Sequence, residues 1–297
     1  MRTQSRLSVR RISRLTVCWL ALLAIAFASR DATAQQSAES AANDATASQW
    51  SLQFAYQANL SYRSDTLVTG EVRAEGNKGF FQYRMVAPIP VGKIKILPRL
   101  TLRYTENKNG EWGLSPTDLF ALIVPWDWGT GRAGLGPDIV IPGSANVGSS
   151  EWSYGIAGAV IQRFLNDKLM VGLLVQQVWG KRDVVDIGQP EEGPPTVTPG
   201  EGTETGAQPL IINPFINFQL GKGWYIASND MQAQHSWEFG GWKVPIGVRL
   251  GYVLVKPKGS WNFYLEYATE FATDDWLGPA AENKIRANVT YVIPVGG

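Results

Sequence analysis

Cysteine is almost missing from this sequence. The one thiol among 297 residues, Cys18, falls in a segment expected to be removed on export. The mature chain then has no disulfide framework, no cysteine metal site and no cysteine nucleophile, so burial and backbone pairing must supply its stability. Histidine is nearly as scarce, with His235 alone. Long apolar runs are also lacking. The longest, Leu15 to Ala28, falls short of the roughly 20 residues a spanning helix needs. Net charge is small, +1 from 27 basic and 26 acidic residues, which gives no global attraction for nucleic acid, and none is expected as a partner.

The apolar run follows Arg2, Arg6, Arg10, Arg11 and Arg14 and precedes Ala32-Thr33-Ala34. This reads as a secretory signal peptide, residues 1–34, cleaved after Ala34. Cleavage removes six of the 27 basic residues and one of the 26 acidic ones, leaving 21 against 25 and a net charge of −4. Residues 35–49, "QQSAESAANDATASQ", are small and polar, an expected disordered lead-in to a domain over residues 50–297.

From Trp50 the pattern has period two. Trp50, Leu52, Phe54, Tyr56, Ala58 and Leu60 alternate with Ser51, Gln53, Ala55, Gln57 and Asn59, which marks a strand with two different surroundings. The alternation recurs in Phe81/Tyr83/Met85, Ile94/Ile96/Pro98/Leu100/Leu102/Tyr104, Phe263/Leu265/Tyr267 and Ile285/Ala287/Val289/Tyr291/Ile293. No long amphipathic helix interrupts it. About twelve strands are expected, of the 9–11 residues that cross a membrane. They start near Ser51, Gly79, Lys93, Gly113, Gly131, Glu151, Lys168, Ala207, Gly223, Gly241, Trp261 and Glu282; the fourth, seventh and ninth alternate poorly.

Short and long connections take turns. Residues 91–92, 125–129, 165–167, 221–222 and 257–259 are short; 63–78, 106–112, 143–150, 180–206, 231–240 and 271–281 are longer. In a meander, alternate connections share an end, so one end is tight and the other looped. The expected fold is all-β: a transmembrane up-and-down antiparallel β-barrel of about 12 strands, with short periplasmic turns and longer external loops. Closure follows from the solvent, because an open edge in hydrocarbon leaves backbone groups unsatisfied. Most mature tryptophans fall at strand ends or in connections. Trp126, Trp128, Trp152, Trp224, Trp242 and Trp261 are the expected interface girdle, with Trp112, Trp237 and Trp276 placed similarly. Pro98, Pro137, Pro214 and Pro245 interrupt expected strands and must sit at bulges or rims.

The second set of alternating positions supplies the expected lumen. Its charged members are Arg84, Lys95, Arg99, Arg103, Arg132, Asp138, Lys243, Arg249, Glu266, Lys284 and Arg286; Gln82, Asn213 and Asn217 are polar companions. Cations outnumber acids. Either they bias a pore toward anions, or they pair with Asp138, Glu266 and other acids to fill and brace a narrow interior.

From Gly113 onward, over about two thirds of the chain, the sequence resembles a bacterial outer-membrane family labelled phenol meta-pathway degradation-like, or putative transporter. The resemblance rests on "GLGPDIVIPGS" (134–144), "EWSYGIAGAV" (151–160), "LIINPFINFQLGKGWYIAS" (210–228), "GGWKVPIGVRLGYVLV" (240–255) and "ANVTYVIP" (287–294). It implies an outer-membrane barrel with a role in passage of small hydrophobic or aromatic compounds, and brings no catalytic residues. The chain departs from the family at Asn213, where Gln is usual, and from the common terminal aromatic residue, with Val295-Gly296-Gly297 at its end.

Other chemistry is thin. His235 adjoins Ser236, whose side chain would diverge from it on a strand, so a solvated loop histidine is expected and no catalytic residue. The acids of residues 181–206 lack calcium-loop spacing and read as a mobile external loop. "GTGRAGLGPD" lacks the Gly-Lys-Ser/Thr ending of a phosphate cradle. No metal or cofactor is expected. The expected partners are outer-membrane lipid, small-molecule solutes and the barrel-assembly machinery. The sequence thus predicts an outer-membrane channel for small molecules, with a filled structural barrel and a His235 hydrolase as the alternatives.

Overall fold

The computed structural model describes residues 49–92, 94–148, 151–188, 196–230, 232–238 and 240–294, and side chains are not described for residues 181–205 and 207. The expected signal peptide and nearly all of the lead-in lie outside the described residues. Sixteen strand segments follow: β1 (Gln49–Tyr62), β2 (Gly79–Val86), β3 (Ile89–Val91), β4 (Ile94–Glu106), β5 (Trp112–Leu114), β6 (Thr117–Asp127), β7 (Gly131–Ile141) and β8 (Ser153–Phe164). Then come β9 (Leu169–Gly188), β10 (Thr196–Ala207), β11 (Leu210–Gly221), β12 (Trp224–Ser228), β13 (Ala233–His235), β14 (Trp242–Lys256), β15 (Gly259–Ala272) and β16 (Ala281–Pro294).

These segments make a closed antiparallel barrel of twelve positions, with no helix among the described residues. The path runs β1, β2, β4, β6, β7, β8, β9, β11, β12, β14, β15, β16 and back to β1. Closure is made by β1 against β16, from Gln49↔Pro294 to Tyr62↔Ala281. Segments β3 and β5 are short additions along β4, and β13 fits between β11 and β14 above β12. Short turns gather at one end. At Lys222 and Gly223, the two residues between the paired Gly221 and Trp224, both φ angles are positive, 54° and 88°, the conformation that lets a two-residue connection follow the twist of its strands.

The burial pattern is inverted relative to a water-soluble barrel. Along β15, Asn262, Tyr264, Glu266 and Glu270 are buried, while Trp261, Phe263, Leu265 and Phe271 are exposed. On β4, Arg99, Thr101 and Thr105 point in and Ile94 and Tyr104 point out. Leu265 is 60% exposed and Glu266 1%, an arrangement that puts polar groups inside and apolar ones toward a hydrocarbon solvent.

The prolines lie where pairing is broken. Pro98 faces the gap between β2 and β3, its carbonyl accepting from Ala87 N. Pro137 is paired to β8 at Ile156 but lies beside a stretch where the β6–β7 ladder skips Ala121 and Leu122. Pro214 and Pro245 stand on β11 and β14, the two strands on either side of β12 and β13, and Pro245 coincides with a register shift.

Two expectations are corrected. Residues 181–206 are not merely a loop, because β9 continues to Gly188 and pairs with β10 from Ala207↔Trp179 to Thr196↔Gly188. Backbone ladder bonds form irrespective of the Gly and acidic side chains that gave the segment its loop-like composition, and the ladder shifts register just after Pro199, which has no N–H to donate. Trp276 is buried, not at the outer surface, and the Lys243 ammonium lies 4.7 Å from its ring center.

Candidate functional site: the barrel interior

Strand register places the interior charges in rows. Arg249 is opposite Glu266, Glu266 opposite Arg286, Arg286 opposite Gln57, and Gln82 opposite Arg103. Each residue alternates inward on its own strand, so facing partners on neighbouring strands meet inside. Arg249 Nη2 donates to Glu266 Oε2 at 2.8 Å, and Arg103 Nε donates to Gln82 Oε1 at 3.2 Å.

Asp230, beyond the end of β12, brings a further carboxylate into this layer. Asp230 accepts from Arg84 Nη1 at 3.1 Å, and it lies 3.4 Å from Arg286 Nη1 and 4.0 Å from Arg249 Nη2. Its backbone N–H donates to Glu266 Oε2 at 2.9 Å, a second tie to the same layer. Asp230, just past the end of β12, is thus held by ionic contacts and by its N–H bond to Glu266 where the ladder has ended.

Arg99 is different. It is 6% exposed, its guanidinium carbon lies 4.4 Å from the Phe120 ring center, and its Nε has no hydrogen-bond partner. Among the described residues no carboxylate comes within ion-pair distance of it. Asp118 and Asp138 are instead tied together through Gln176, whose Nε2 donates to Asp118 at 3.1 Å and to Asp138 at 2.9 Å.

The lumen divides into levels. Toward the loops, a cavity of about 690 Å³ is lined by Arg103, Arg286, Lys243 and Lys284, by Asp118, Asp138, Asp230 and Glu270, and by Phe80, Val140, Val178 and Ile211. Beyond Asp230 a small cavity of about 90 Å³ is bordered by Arg84, Arg99 and Arg249 together with Leu97, Phe120 and Leu174. Toward the short turns, Val86, Leu97, Phe120, Leu122, Val124, Ala157 and Leu174 pack as an apolar cluster inside the barrel. Tyr225, Val253 and Tyr264 form a second one.

Of the expected lumen residues, Arg84, Arg99, Arg103, Arg249, Glu266 and Arg286 come together. Asp138 borders the same cavity on another wall. Lys243 and Lys284 lie nearer the loops, Lys284 paired with Glu270 at 2.8 Å. Lys95 is not with them, because it pairs with Asp127 at 3.4 Å near the short turns. Arg132 also lies at that end, opposite Asp127 in the β6–β7 register. Alternation fixes which face a side chain takes and leaves its height along the barrel open. Asp230, Asp118, Gln176 and Glu270 were not anticipated. Asp118 had a signal, a lone carboxylate in the apolar run of β6.

His235 is no solvated loop residue. It pairs with Leu210 and Trp242 in register and stacks on Trp242 at 4.5 Å, with Trp237 edge-on at 4.8 Å. Its buried Nδ1 lacks a hydrogen-bond partner, so nothing at that atom orients it as a base. Trp126, Trp128, Trp152, Trp224, Trp242 and Trp261 all have exposed side chains.

No family model and no curated protein matches the sequence. Solved structures do match in shape. The COG4313 outer membrane channel from Pseudomonas putida F1 aligns with a TM-score of 0.56 at 13% identity, over 83% of this chain and 96% of that one. The NanC porin aligns at 0.44 and 10% identity, over 82% of this chain and 98% of that one. At 13% identity, what this chain shares with the P. putida protein is the fold, a closed antiparallel β-barrel of the outer-membrane type.

Proposed function

We propose that this chain is an outer-membrane channel, or facilitator, for passive passage of small molecules, working by lumen shape and charge without covalent chemistry. The observation that carries the reading is the cavity of about 690 Å³, enclosed by an apolar-outside wall and floored by guanidinium groups. Its solutes are small hydrophobic, aromatic or anionic compounds. The P. putida fold relative is a channel, and the resemblance to the phenol meta-pathway degradation-like family points the same way. On this reading residues 1–34 direct export, the short turns face the periplasm, the exposed tryptophans lie at the two lipid interfaces, and the assembly machinery inserts the barrel.

A second reading has its own observation. Leu97, Phe120, Leu122 and Val124 fill the short-turn half, as a structural barrel with no through path would require. Swelling of liposomes holding the refolded mature chain separates the two. Faster entry of arabinose than into protein-free liposomes supports the channel. Equal rates, with insertion verified, leave the filled barrel.

A further inference from the structure

We infer that the arginine layer at the cavity floor is a binding site for a small organic carboxylate, for which Asp230 is a built-in counterpart. This deepens the channel reading and rests on it for the path by which the ligand arrives.

The unmet groups in this layer are mostly donors. Arg286 uses Nη1 toward Asp230, while its Nε and Nη2 have no partner although the residue is 3% exposed. That Nε–Nη2 edge is one of the two parallel-donor faces with which a guanidinium grips a carboxylate. Gln82 Nε2 and Arg99 Nε are likewise buried and unpartnered. Charge is unbalanced too. Arg84, Arg99, Arg103, Arg249 and Arg286 face Asp230 and Glu266, with Asp118 and Asp138, tied to each other through Gln176, on the facing wall, so five cations meet four acids and the layer keeps a positive excess. A buried cation without a counter-ion is costly, so the layer favours an incoming anion.

Asp230 displays the chemistry wanted. It is a carboxylate held between Arg84 and Arg286, carried in by a segment outside the strands. A free carboxylate arriving from the loop side meets Arg103 and Arg286, which line the cavity together with Asp230. Its body then lies against Phe80, Val140 and Val178, and the volume admits a single ring. A guanidinium fork matches planar carboxylate oxygens better than a spherical ion. An apolar wall prefers a ligand with a hydrocarbon part.

Equilibrium dialysis of the folded mature chain in detergent against labelled benzoate tests this, with benzyl alcohol as the neutral counterpart. Arg103→Gln, Arg286→Lys and Lys95→Gln are compared with the parent, each shown folded by heat-sensitive gel mobility. The site requires saturable benzoate binding. Arg103→Gln should weaken it about tenfold or more, and Arg286→Lys should weaken it despite keeping the charge. Lys95→Gln, near the short turns, should bind as the parent does. Benzoate that does not bind, binds no better than benzyl alcohol, or binds equally to Arg103→Gln and Arg286→Lys would overturn the site. Arabinose swelling on the same preparations keeps the two ideas apart. Swelling without benzoate binding sinks the site and leaves the channel, and saturable binding without swelling sinks the channel and leaves the site.

Discussion

Replacing Asp230 by Asn tests the interior ionic layer with little change in shape. The carboxylate is 17% exposed and lies 3.1, 3.4 and 4.0 Å from Arg84, Arg286 and Arg249. Each such pair has a gross attraction of about 4 kcal/mol at an effective dielectric constant near 20. Desolvation offsets much of that, and breaking a buried pair by removing one partner costs about 3–5 kcal/mol net. Asn keeps an oxygen for Arg84, and the backbone N–H of residue 230 still donates to Glu266. The loss should therefore fall at the lower end, about 3 kcal/mol. Urea unfolding in micelles, followed by tryptophan fluorescence, reads it directly. A change under about 1 kcal/mol, the scale of an exposed pair, would refute the view that Asp230 fastens the chain beyond β12 to the interior arginines. If the variant forms a pore, its preference for anions should exceed the parent's, since three guanidiniums lose a shared counter-ion.

Gly136→Ala should destabilise the barrel by about 1–3 kcal/mol or more, because the added Cβ would fall 1.8 Å from the Ala121 carbonyl oxygen; Gly158→Ala, with no atom nearer than 3.9 Å, should change stability by less than about 0.5 kcal/mol. Chemical unfolding of the two variants checks the contrast. In the β1–β2 connection, the hydrogen bond from Arg73 holds the Asp65 carboxyl below its ordinary range. A depressed folded value means that the contact is complete above the unfolded value, about 3.9, and fades as pH falls through the folded one. Asp65→Asn should abolish that acid response, measured as amide exchange of the loop, and the effect should be under about 1 kcal/mol because Asp65 is half exposed. Brominated lipids should quench Trp128 and Trp261 in the inserted barrel, and the double Phe variant should lose that share of the quenching. Unchanged quenching would remove them from the interface.

Strand faces were legible because the outer face is apolar almost without exception, so alternation on β1, β4, β15 and β16 gives both faces at once. The fourth and seventh expected strands alternated poorly for a physical reason. On β6 and β9 the inward positions include Phe120, Leu122, Val124, Met170 and Leu174, so both faces are apolar there. The ninth is short because β12 leaves the wall after Ser228. Asp230 was hidden because it enters the lumen from outside any strand, where period two says nothing. The β9–β10 extension was hidden because ladder bonds use backbone alone. Lys95 and Arg132 lie beside Asp127 near the short turns, away from the arginine layer, a separation the sequence could not show because alternation carries no vertical coordinate.

The most direct measurement is conductance of the refolded mature chain, residues 35–297, in a planar bilayer under a salt gradient, beside Arg99→Glu/Arg103→Glu. An open, arginine-lined pore gives discrete steps with an anion preference that weakens in the double variant. Protein shown to be inserted that gives no steps, or steps whose selectivity ignores the charge reversal, would contradict it.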